Sequence, residues 1–157
     1  MTHYMELLAT AQPWNLIKFM AVPVVLAEAL VAIEFFIVFN REYQGTLRSI
    51  SKVLGIAFGI WFLGIFVYLM TTAIPGMPWR GWVDVVAVGF YLSGVIPAAG
   101  IALMEFGLVG KKLTPEQKMK AHFILLTVFL VVAHIAMIFG MVNPELIMGS
   151  GSAKMPM

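Results

Sequence analysis

Four long stretches almost free of charged side chains decide what this chain can become. Between Lys18 and Arg41 lie 22 residues interrupted only by Glu28 and Glu34, and between Lys52 and Arg80 lie 27 with no Asp, Glu, Lys or Arg. Val85 to Met104 adds 20 more, and Ala121 to Pro144 another 24. A helix rising about 1.5 Å per residue needs about 20 residues to cross about 30 Å of hydrocarbon, so each run is long enough to span a bilayer. A water-soluble globule is excluded on the same ground, because 11% charged and 61% hydrophobic residues cannot coat its surface.

The runs predict an all-α integral membrane protein: one domain over residues 1–157, with helices at about 14–40, 50–74, 82–109 and 116–143. Turn-forming segments separate them. Asn40 to Gly45 ends the first, Pro75-Gly76-Met77-Pro78 the second, and Lys111 to Glu116 parts the third from the fourth. Thr114 ahead of Pro115 reads as an N-cap followed by proline at the first helical position. Short connections make neighbours antiparallel, giving an up-down-up-down bundle. The leader lacks the basic n-region of a signal peptide, so the first span is expected to stay. The Gly- and Ser-rich tail at 149–157 reads as flexible.

Orientation follows from basic residues. Arg41, Arg48, Lys52, Lys111, Lys112, Lys118 and Lys120 flank one end of the bundle; Lys18, Arg80 and Lys154 flank the other. The richer end is expected in the cytoplasm, with both termini outside, in a bacterial-type inner membrane. Trp14, Trp79 and Trp82 cluster at the outer level as an aromatic belt, where Arg80 and Asp84 read as a surface ion pair.

Small residues recur every fourth position at Ser51, Gly55 and Gly59 and at Gly94, Ala98 and Ala102. Such stripes let backbones approach, so the second and third helices are expected to meet each other or a second copy. Pro97 should kink the third helix and release a carbonyl near Ser93.

The chemistry is carried by ionisable residues inside the apolar runs: Glu28, Glu34, Glu105, His122 and His134. Each costs about 2.5 kcal/mol or more at the bilayer centre, so each calls for a partner or a purpose. Counting at 1.5 Å per residue from the basic end places Glu34, Glu105 and His122 at depths of about 9, 8 and 3 Å, and Glu28 and His134 near 18 and 21 Å. The reading is therefore two layers. Glu34, Glu105 and His122 form an inner one, and Glu28 pairs with His134 in a central one, across the adjoining first and last helices. Glu28 and Glu34 are about 240° apart around their helix, and His122 and His134 about 120°, so one member of each pair is expected to point away from the bundle axis.

Carboxylates and imidazoles bind iron, manganese or zinc, and they also relay protons. The alternative is that they only fix helix register. No Glu-x-x-His of the di-iron bundles occurs. His134, Met137 and Met141 fall at i, i+3 and i+7, with Met70 and Met77 at the same level of the second helix, a weaker candidate set suited to copper. Haem fits poorly, because the two intramembrane histidines share one helix about 18 Å apart and cannot grip one iron. With no cysteine, thiolate ligands, iron–sulfur clusters and a Cys nucleophile are excluded. The basic residues form no single face for nucleic acid, and no phosphate-cradling or hydrolase motif is present.

The sequence thus points to a permease-like or metal-handling membrane protein that binds or passes a cation, and not to an enzyme. Its partners are the lipid bilayer and a homo-oligomer or membrane-complex neighbour. The competing reading is a non-catalytic structural or assembly subunit of a larger respiratory or transport complex, associated with haem in one version.

Overall fold

A computed structural model describes residues 3–40, 44–77, 79 and 81–142. Four helices long and apolar enough to cross a membrane run Trp14–Phe39, Gly45–Gly76, Trp82–Glu105 and Pro115–Met141, preceded by a short helix at His3–Ala9. No strand occurs among the described residues. The chain is an all-α, multi-pass membrane protein. The tail at 149–157, with Lys154, lies outside the described residues, as do Arg41 and Arg80.

Two boundaries differ from the sequence expectation. The second span starts near Gly45 instead of residue 50, because the polar turn Gln44 to Ser49 is helical although too hydrophilic to count as apolar. The third ends at Glu105 instead of 109. Gly107 adopts φ +71, its N–H donates to Met104 O (3.1 Å), and the N–H of Leu108 donates to Leu103 O (3.0 Å). That is the bond pattern with which a left-handed glycine terminates a helix. The fourth span opens on a full capping box: Gln117 N–H donates to Thr114 Oγ1 (3.3 Å), and Thr114 N–H to Gln117 Oε1 (3.0 Å), with Pro115 in the first turn.

Each span packs on the next, and of the neighbouring pairs around the bundle the first and fourth touch least. The third is broken: its first part, Trp82–Ser93, stops at Gly94, and Val95–Glu105 continues. Pro97 supplies no N–H to the carbonyl of Ser93, and the break lets the first part lean on the fourth span while the second part packs closely on the second span. Small residues make that second contact. A Cβ added to Gly59 would lie 2.4 Å from Ala102 Cβ and 2.9 Å from the Ala98 carbonyl oxygen. The two small-residue stripes therefore meet each other within one chain. Phe58, Phe62 and Phe129 fill the layer beside them, the first two edge-on to Phe129 at ring centroid separations of 4.7 and 5.1 Å.

Two wide π-turns, Ile17–Ala21 and Leu69–Ala73, each end two residues before a proline, Pro23 and Pro75. Pro23 offers no N–H one turn back, where the carbonyls of Lys18 and Phe19 stand. Lipid cannot satisfy them. Trp61 Nε1 donates to Lys18 O (3.1 Å), and Tyr91 Oη donates to Phe19 O (2.6 Å), stitching the first span to the second and third. Tyr91→Phe should lower the unfolding free energy by about 1.5 kcal/mol, toward the upper end for hydrogen bonds between membrane helices. Denaturant unfolding in mixed micelles measures it; a loss below about 0.3 kcal/mol would mean that Phe19 O finds another donor.

Candidate functional site: a buried carboxylate–imidazole chain

Near the basic end of the bundle, the first, third and fourth spans each place one ionisable side chain in a common layer. Glu34 falls on the same face of its helix as the buried Ala27, Leu30 and Ile37, and His122 on the same face as Leu126 and Phe129, so both turn inward. Each is only 3% exposed. His122 Nδ1 shares a 2.5 Å hydrogen bond with Glu34 Oε1. On the other side of the ring, Nε2 stands 3.0 Å from Glu105 Oε1, at ion-pair distance but without the alignment of a hydrogen bond. Lys118, one turn before His122, reaches Glu105 Oε2 at 3.3 Å. The order is Glu34, His122, Glu105, Lys118, from the interior outward. Gly55 makes room for it: a Cβ there would come within 3.3 Å of Glu105 Cγ and 3.6 Å of His122 Cε1.

All four side chains border a cavity of about 380 Å³, which Arg48, Ser51 and Lys52 of the second span also line. Glu34 Oε2 is buried without a hydrogen-bond partner among the described residues and forms the inner terminus of the chain. Three cationic and two carboxylate side chains thus surround one polar chamber at the edge of an apolar bundle. The roles of Arg48, Ser51, Lys52 and Lys118 escaped the sequence reading, although i, i+4 spacing from Arg48 to Lys52 and from Lys118 to His122 is the pattern that would have shown them.

The inner layer, Glu34 with Glu105 and His122, is brought together. The central one is not: Glu28 and His134 form no hydrogen bond or ion pair with each other. Both lie on exposed faces, as their helical phase relative to Glu34 and His122 requires, and His134 Nδ1 donates instead to Leu130 O (2.6 Å). They do border one apolar cavity, which Met137 joins, while Met141 is 58% exposed on the outer surface and Met70 is exposed as well. The methionine stripe therefore divides, because its residues sit on different faces of their helices. Asp84 is also corrected: it is fully buried, not at the surface, on the helical face shared with Ala87, Val88 and Tyr91. Among the described residues no group of three His, Asp or Glu side chains is arranged to hold a metal ion. Trp14, Trp79 and Trp82 are all exposed at the end away from the basic loops.

These features define a four-helix membrane bundle with a buried acid–imidazole–acid chain opening to its basic end. The chain belongs to the family of unknown function DUF6803, whose model matches residues 1–156. No curated protein and no solved structure matches it.

Proposed function

We propose that this is a permease-like protein of a bacterial-type inner membrane that handles protons through Glu34, His122 and Glu105. The observation that carries the reading is the position of His122, with one ring nitrogen on each of two carboxylates from different helices. An imidazole so placed can accept a proton at Nε2 from the Glu105 side and release one from Nδ1 to Glu34, then reverse. Lys118 holds Glu105 at the chamber wall, and the chamber supplies water access from the basic end. Of the cations that Glu and His side chains accept, the proton is favoured over iron, manganese, zinc or copper. Both ring nitrogens already face carboxylate oxygens, so a metal would have to part them.

The test is proton flux into liposomes containing the purified protein and a pH-sensitive dye, driven by a potassium diffusion potential. Wild-type protein should acidify or alkalinise the lumen at least tenfold faster than empty vesicles. His122→Gln and Glu34→Gln retain size and hydrogen bonding but cannot exchange the proton, and each should return the rate to background with the helical content unchanged. Equal rates in wild-type and empty vesicles, with both variants merely less heat-stable, would leave a helix-bridging subunit. Stoichiometric metal in the wild type that is lost in both variants would favour metal handling.

A further inference from the structure

The second cavity, about 230 Å³, lies deeper in the bundle and is separate from the chamber at the basic end. All four spans and the short amino-terminal helix contribute to it. Its walls include the rings of Phe19, Phe62, Tyr91 and Phe129, and its two ionisable groups are Glu28 and His134. Each also borders a shallow groove along the seam of the first and fourth spans, the least packed of the neighbouring pairs, and Leu130 is common to the cavity and both grooves. A molecule dissolved in the bilayer can enter there without crossing water.

The walls indicate what would fill it. A cavity of about 150 Å³ holds one benzene ring, so this one has room for a single substituted ring. Ligands of a bare metal ion close around it and leave no such void, which weighs against copper at His134 and the nearby Met5, Met20 and Met137. The polar chemistry is directional. A carbonyl only accepts, so the bond from Nδ1 to Leu130 O places a proton on Nδ1 and makes Nε2 the one ring nitrogen that can accept. Such an acceptor at mid-membrane depth is matched by a hydroxyl donor, and the Glu28 carboxyl offers a second hydrogen-bonding group at the same cavity.

We propose that this cavity binds a membrane-dissolved single-ring phenol or hydroquinone, its ring among the aromatic walls and its hydroxyl donating to His134. The wide turn at Ile17–Ala21 and the break at Gly94 both border the space.

Calorimetric titration of the full-length protein in a mild detergent, with empty micelles as blank, compares 4-ethylphenol with ethylbenzene. The phenol should bind saturably at one site per chain and about tenfold more tightly than the hydrocarbon, which corresponds to about 1.4 kcal/mol for the hydroxyl. His134→Leu, at an exposed position that tolerates an apolar side chain, should bring the two ligands to equal affinity. Ala133→Leu should abolish binding of both by filling the space. Equal affinities in the wild type, or a phenol preference that survives His134→Leu, overturns the proposal. So does stoichiometric Cu(I) binding that disappears on replacing Met5, Met20 and Met137 by leucine, or a wild-type dimer in which Glu28 and His134 of adjoining copies crosslink and no phenol binds.

Discussion

Replacing His122 by leucine is expected to destabilise the bundle by about 3–5 kcal/mol, the range for removing one partner from a buried charged pair. The reason lies in what remains behind. Glu34 is enclosed, its Oε1 is held by His122 alone, and its Oε2 already has no partner. Without the ring, a buried acidic group is left with no protein donor among the described residues. Glu105 suffers less, since it keeps Lys118 and is less deeply buried than Glu34. The double replacement Glu34→Leu with His122→Leu should therefore recover most of the loss, because apolar groups of similar volume substitute well for a buried polar pair. Unfolding free energies of the wild type, both singles and the double form a complete cycle. A His122→Leu protein as stable as wild type would show that the layer is wet.

The second large effect concerns the backbone contact of the second and third spans. Gly59→Ala should cost about 3 kcal/mol, at the upper end of the penalty for overpacking, because the obstructing atoms are the Ala102 Cβ and the Ala98 carbonyl. Neither can rotate away, so the helices must separate, and the separation would disturb the layer at Gly55 where Glu105 and His122 sit. Gly64→Ala is the matched control. It lies in the same helix with nothing within 4 Å of the added methyl, so it should be neutral or gain up to about 1 kcal/mol from helix propensity. Opposite signs for the two substitutions, read by thermal unfolding in detergent, are the expected outcome. Equal effects would mean that the close approach at Gly59 is relieved by sliding.

Some of this architecture is readable without coordinates. Four spans follow from the uncharged runs, and the cap at Thr114 from three adjoining residues. The depth of each ionisable group follows as well, since the rise per residue is constant: Glu34, Glu105 and His122 share a level because of where they stand in their helices. The stripe containing Gly59 likewise announces a close helix contact. The sequence leaves open whether the third span or a second copy answers it, and the third span of the same chain does.

Direction around the axis is a different matter. Glu28 and Glu34 occupy one helix, yet one faces outward and the other is buried; the same division separates His134 from His122. Asp84 looked superficial beside Trp82 and is fully enclosed. Gly107 ends a helix whose apolar pattern runs on through Val109. Height in the membrane is a property of one helix alone, whereas facing is a relation among four, settled by how far Gly59 lets two backbones approach and how the third span bends at Gly94. Sequence therefore determined the spans and the common level of Glu34, Glu105 and His122. Tertiary packing decided which of those charges touch, since contact depends on rotations that only mutual side-chain fit can choose.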